Sequence, residues 1–142
     1  MLARLTVPSR IEFVRAATAF IVQSARALSV AAAAEPVFEV AISEAITNAV
    51  KHGGATDRTR ATITCELDAD ESAFTLRIID DGSGFDVGNK TLPDVSRERI
   101  ESLPASGYGL PIIHTVFPSV RVVNVDGRFA LELSLPTAPV KL

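Results

Sequence analysis

Polar and apolar residues along this chain switch between two periods, and each switch marks an element. Leu2 to Val7 alternates every second residue, which predicts a short strand. Pro8 and Ser9 interrupt it. Ser9 and Glu12 form a Ser-x-x-Glu capping box, which predicts a helix start there, continued by Phe13, Phe20, Ile21 and Leu28 at helical spacing. The alanine run 31–34 and Glu35-Pro36 close that helix and open a second one, from about Pro36 to His52. Proline suits a first helical turn, and Gly53-Gly54 suits a helix end.

The period then becomes two. Thr62, Thr64 and Glu66 alternate with Ile63, Cys65 and Leu67. After the polar turn Asp68–Ser72, Phe74, Leu76 and Ile78 alternate with Thr75, Arg77 and Ile79. This predicts an antiparallel hairpin. A loop rich in Gly, Asp and Asn follows, then a charged segment, Pro93–Leu103, expected to be helical in part. Ser106-Gly107-Tyr108-Gly109 opens a short apolar helix ending near Pro118. Val120–Val125 and Arg128–Leu135 flank Asp126-Gly127, a strong hairpin signal. From Pro136 the tail is expected to be loose. Grouped helices and hairpins, without strict β-α alternation, predict an α+β two-layer sandwich. The 142 residues favour one domain, 1–142.

Composition narrows the function classes. Apolar residues make up 47% and mean hydropathy is +0.27, which argues against disorder. Net charge is −3 with no basic run or basic-aromatic stripe, so direct nucleic-acid binding has no support. Cys65 is the only cysteine, which excludes an internal disulfide and a cysteine zinc site, and its apolar surroundings predict a buried, inert thiol. The most apolar helix is interrupted by Arg15, Gln23 and Arg26, so no membrane span is expected. The N-terminus lacks the signal-peptide order, and a cytoplasmic location is the expectation.

Three stretches carry candidate chemistry. In "ISEAITNAVKHGG", Glu44, Asn48 and His52 share one helical stripe. Ala41, Ala45 and Ala49 beside them are small and would leave room for a ligand. The competing reading is a solvated polar stripe. In "IIDDGSGF", alternation puts Asp80 on the face of Phe74, Leu76 and Ile78, toward the apolar layer, where its carboxylate needs a donor such as a purine amine. Gly82 and Gly84 permit close backbone approach, although a plain turn would use them too. In "SGYGLPII", Gly107 and Gly109 precede a helix start, an arrangement suited to phosphates but weak by itself. Sequence signatures of the P-loop, protein kinases, Rossmann sites, serine hydrolases and the H-E-x-x-H zinc site are absent.

In order and spacing, Glu44-x-x-x-Asn48-Ala49, Asp80-x-Gly82-x-Gly84 and Gly107-x-Gly109 resemble the N, G1 and G2 boxes of the GHKL ATPase superfamily, which groups gyrase B, Hsp90, histidine kinases and MutL. The short form most resembles the bacterial anti-sigma factor serine/threonine kinases of the RsbW and SpoIIAB type. The resemblance spans Thr6 to Leu135. It implies a Bergerat-type sandwich, with helices on one face of a mixed, mostly antiparallel sheet and ATP or ADP between sheet and lid. It implies that Asn48 coordinates Mg²⁺, that Asp80 accepts from the adenine amine, and that Gly82 and Gly84 shape the adenine side. Gly107, Tyr108 and Gly109 would lie at the phosphates, with Lys51 either reaching a phosphate or staying on the surface. Glu44 would be the base for the attacking hydroxyl. His52 is expected to cap its helix and His114 to be structural.

The segment Phe85–Ser106 suits a small kinase lid, and its Arg97 and Arg99 would be solvated or touch phosphates or a partner. The Thr-Thr-Lys-like stretch that some sporulation-type members carry before the G2 box has no counterpart. The implied activity is an ATP- and Mg²⁺-dependent serine/threonine kinase that binds a sigma factor and phosphorylates a STAS-type anti-sigma antagonist. The implied assembly is a homodimer using the N-terminal strand and helix. The alternatives are a non-catalytic nucleotide-binding regulator, against which a base at Glu44 argues, and a histidine-kinase catalytic domain acting in trans.

Overall fold

The computed structural model describes residues 1–52, 60–80 and 110–137. In chain order these form β1 (Ala3–Pro8), a 3-10 turn (Ile11–Phe13), α1 (Val14–Ala27), a second 3-10 turn (Ala31–Ala34) and α2 (Pro36–His52). Then come β2 (Thr62–Ala69), β3 (Ala73–Asp80), α3 (Leu110–Val116), β4 (Ser119–Val125) and β5 (Arg128–Pro136). The strands make one five-stranded sheet in the order β1-β2-β3-β5-β4, and all four pairings are antiparallel. Helix α1 lies over β1 and β2, α2 over β3, and α3 against α2 and β4. The architecture is the expected α+β two-layer sandwich.

Register explains the core. Leu5, Cys65 and Ile78 share one row across β1, β2 and β3, and Leu67, Leu76, Leu133 and Val120 share another across β2, β3, β5 and β4. These rows meet Phe38, Ile42 and Ile46 of α2 and Ile21 of α1 in one buried cluster. Each such side chain withdrawn from water contributes about 1.5–3 kcal/mol. Phe38 anchors the layers: its ring lies 6.4 Å from Phe74 on β3 and 5.8 Å from Phe117 just after α3. Cys65 is fully buried, and burial pushes its thiol up to about 12, as an inert core cysteine requires.

The other face of the sheet carries a row of alternating charge: Arg4, Glu66, Arg77, Glu132 and Arg121. Arg4 bonds Glu66 at 2.7 Å and Arg77 bonds Glu132 at 2.8 Å. Such cross-strand pairs favour this register over a slipped one, with a modest energy each.

Two local expectations are corrected. The Ser9–Glu12 capping box does not form. The Ser9 N–H donates to the Ala61 carbonyl, extending the β1–β2 ladder, and its hydroxyl is buried without a partner among the described residues. Glu12 instead pairs with Arg10 at 3.3 Å, and the chain enters α1 through a 3-10 turn. The tail is not loose at its start: β5 runs through Pro136, and Thr137 bonds Ser72 and Asp70 in the β2–β3 turn.

The last hairpin follows the sequence. Asp126 (φ 51°) and Gly127 (φ 80°) make a two-residue turn with both central residues left-handed, the geometry that twisted hairpins prefer. The end of α1 does not: it stops at Ala27, before the alanine run 31–34 expected to close it, in a Schellman motif. The Val30 N–H reaches the Ala25 carbonyl and the Ser29 N–H reaches that of Arg26, with Ser29 left-handed at φ 58°.

Candidate functional site

Helix α2 carries the first wall of the site. Proline at its first position and an unbroken apolar face, from Phe38 through Ile42 and Ile46 to Val50, hold it against the sheet and its neighbours. On another face Glu44 and Asn48 are half-buried, one turn apart, and Lys51 is exposed. Ala41 and Ala45 do not leave room for a ligand: packing buries both fully in the core, although Ala41 lies only about 20° of helical phase from Asn48. Ala49, half-buried, packs against the same core.

Strand β3 carries the second wall. Asp80 is its last residue and only 3% exposed, on the inward face as alternation predicted. It stands opposite Ile63 on β2, itself opposite Val7 on β1. A carboxylate in such a row has lost most of its hydration, which is costly unless donors meet it.

Packing brings these walls to one end of the molecule. The Phe38–Phe74 contact sets the start of α2 over the start of β3. From Phe38 to Asn48 the helix rises about 15 Å, and from Phe74 to Asp80 the strand advances about 20 Å. With α2 buried along its length, Asn48 and Asp80 arrive at the same end of the two layers. Gly82, Gly84, Gly107, Tyr108 and Gly109 lie outside the described residues, as do Arg97, Arg99 and the side chain of His52. Their flanking elements do converge here, since β3 ends at Asp80 and α3, which begins at Leu110, packs on α2.

One inward residue at this end was missed in the sequence. The β3–β5 register places Phe129 beside Asp80, and Phe129 is half-buried. Its signal was available: Phe129, Leu131, Leu133 and Leu135 alternate with Arg128, Ala130, Glu132 and Ser134.

Residues 7–135 match the family described as the histidine kinase-like ATPase domain. The chain belongs to this family. Curated relatives include the serine-protein kinase RsbW of Bacillus cereus (strain ATCC 10987 / NRS 248), 32% identical over 96 residues, which are 66% of this chain and 59% of that protein. RsbW of Bacillus thuringiensis (strain Al Hakam) is 33% identical over 97 residues, with the same coverage. The chain thus matches 59% of the length of these relatives. Among solved structures, the RsbU and RsbW domains of Rv1364c from Mycobacterium tuberculosis superpose with a TM-score of 0.56 at 19% identity, covering 98% of this chain and 34% of that one. That likeness establishes the shared α+β fold of the histidine kinase-like ATPase domain.

The donor set fits a nucleotide with its metal. Among the described residues no cluster of three or more His, Cys, Asp or Glu side chains forms a metal cage. Magnesium at nucleotide sites takes one or two protein oxygens and the substrate phosphates, and keeps several waters. The amide oxygen of Asn48 is a hard oxygen donor of that kind. Among the described residues no helix is long and apolar enough to cross a membrane.

Proposed function

We propose that this protein is an ATP- and Mg²⁺-dependent serine/threonine kinase that acts as an anti-sigma factor and phosphorylates a STAS-type antagonist in a partner-switching circuit. The observation that carries this reading is Asp80, a carboxylate 3% exposed at the inner end of β3, at the same end as the half-buried Glu44 and Asn48 of α2. The names of the Bacillus relatives, serine-protein kinase RsbW, support it.

In this mechanism Asp80 accepts a hydrogen bond from the adenine amine, and Phe129 supplies an apolar surface beside it. Gly82 and Gly84 would serve the base, and Gly107, Tyr108 and Gly109, with Lys51, the phosphates. Asn48 would hold a magnesium ion through its side-chain oxygen. The ion, when bound, neutralises charge on the phosphate oxygens. Glu44 accepts the proton of the acceptor serine or threonine hydroxyl as its oxygen attacks the γ-phosphorus. The bond from that phosphorus to the bridging oxygen breaks, ADP leaves with the bond's electron pair, and the phosphoester forms. Phosphoryl transfer demands positioning and charge neutralisation above all, and a carboxylate one turn from a metal-holding amide supplies both.

A sigma factor is the second partner, held in one nucleotide state and released in another through differential affinity. A homodimer belongs to the same proposal; Met1, Leu2 and Ile11, more than half exposed at the N-terminal edge, are the apolar surface it would use.

The test incubates the protein with γ-labelled ATP, Mg²⁺ and a STAS-domain protein from the same genome. Label on a serine or threonine of that protein is the expected result. Clear ATP binding without any transfer would leave a nucleotide-binding regulator in place of a kinase.

A further inference from the structure

One inward row crosses the whole sheet at the end where Asp80 lies. From β1 to β4 it reads Val7, Ile63, Asp80, Phe129 and Asn124. Val7 and Ile63 belong to the core. Asn124, at the β4 edge, is exposed, and its Oδ1 accepts from the Gly127 N–H at 2.8 Å. Phe129 is therefore the apolar group of this row that stands between Asp80 and the water at the β4 edge. The other inward residues of β5, Leu131, Leu133 and Leu135, pack into or against the core. Phe129 carries their face one step further, half-buried beside Asp80. Paired positions on neighbouring strands hold their Cβ atoms about 4.5–5.5 Å apart, within reach of a phenyl ring.

The burial of Asp80 makes its choice of base depend on water. A carboxylate only 3% exposed gains a strong hydrogen bond from a base that brings an amine, and is left short of a donor by a base that lacks one. A polar site rejects such a base only while nothing else supplies the missing proton. A water beside Asp80 would supply it, donating to the carboxylate and to a carbonyl oxygen of the base at once. The ring of Phe129 fills the β5 side of Asp80, where such a water would enter.

We propose that Phe129 sets the base selectivity of the nucleotide site. The inference rests on the nucleotide reading above and adds what decides among nucleotides. By keeping water from the β5 side of Asp80, Phe129 makes the purine 6-amino group the donor that the carboxylate must have. A guanine brings a carbonyl oxygen to that place, an acceptor facing an acceptor with no proton between them. A smaller residue at 129 admits the bridging water, and the penalty against bases without the amine falls.

The test measures the Kd of ATP and of purine riboside triphosphate, which is ATP without its 6-amino group, each with Mg²⁺. Wild type is compared with Phe129→Ala and Phe129→Val. Wild type should bind ATP about tenfold or more tightly than the analogue, the ratio that one hydrogen bond to a charged group supports. Phe129→Ala should bring the two Kd values within about threefold of each other, and Phe129→Val should fall between. A merely structural role would weaken both nucleotides alike and leave the ratio unmoved. Valine suits a strand, so Phe129→Val carries the comparison if the alanine variant does not fold. A wild-type ratio kept in the folded variants overturns the role of Phe129 and leaves the nucleotide reading standing. Equal binding of the two nucleotides by wild type also overturns it, since no selectivity would exist. A wild type that binds neither overturns the nucleotide reading and this inference with it.

Discussion

Asp80 stands directly opposite Ile63 across the β2–β3 ladder, so a carboxylate and a fully buried isoleucine occupy neighbouring places in one inward row. That relationship organises the candidate site. Strand alternation alone delivers Asp80 to the apolar layer, and α2 packed on β3 brings the Glu44–Asn48 stripe to the same end. The chemistry proposed for the chain is distributed over these two elements, and the predictions separate their roles.

Glu44 is half-buried on α2, where it can meet a hydroxyl from solvent. Glu44→Ala should retain ATP affinity within about twofold. It should lose about 10²–10⁴-fold in phosphotransfer, the range of a general base. Single-turnover transfer beside nucleotide titration reads the two effects separately.

Cys65 gives the fold a pH signature. Burial raises its pKa from 9.0 to about 12, so above pH 9 the unfolded chain loses a proton that the folded chain keeps. The folded state then binds more protons, and stability falls as pH rises through that window, by up to about 1.4 kcal/mol per pH unit from this group. Denaturant titrations between pH 8 and 11 should show a shallower decline for Cys65→Ala than for wild type, from a lower starting stability.

Asp70 controls the β2–β3 turn from its surface. Its Oδ1 accepts from the Ser72 N–H and hydroxyl, both at 2.7 Å, and from the Ala73 N–H at 2.9 Å. The Ser72 side-chain bond foremost, then the backbone bonds, hold its pKa below 3.8. A depressed carboxylate pKa stabilises the fold above the unfolded value and is lost as pH falls through the folded one. Asp70→Asn should keep the turn and flatten the stability profile below pH 4. Asp70→Ala should lower stability at neutral pH as well. Acid-titrated thermal melts of the two variants check this.

Ser29 holds φ at 58° in the Schellman turn after α1, a conformation that costs a residue with a Cβ. Ser29→Gly should therefore raise stability by about 0.5–1 kcal/mol, less the entropy that glycine adds to the unfolded chain. Equilibrium urea unfolding decides it; a loss would mean that the serine side chain contributes more than its backbone strain costs.

Much of this was legible in the chain. The bounds of α2 followed from Pro36 and the Gly53-Gly54 signal, the last hairpin from Asp126-Gly127, and the inward turn of Asp80 from period-two alternation. What failed were readings in which a local pattern competed with tertiary structure. Ser9 and Glu12 have capping-box spacing, but Ser9 is drawn into the ladder with Ala61 and its N–H is spent there. Ala41 and Ala45 are small beside polar neighbours, yet only packing decides that they face the core. The charge row from Arg4 to Arg121 depends on four strand registers, and sequence carries no direct record of register.

The central claim is that Asp80 reads the adenine of a nucleotide held between α2 and the end of β3. Calorimetric titration of ATP·Mg²⁺ into wild type and Asp80→Asn tests it most directly. The substitution keeps size and shape but removes the charge from the acceptor, a hydrogen bond worth about 1.5–3 kcal/mol. The account predicts a Kd raised about tenfold or more in Asp80→Asn, with the fold intact by circular dichroism. Wild-type affinity for ATP in that variant would contradict it.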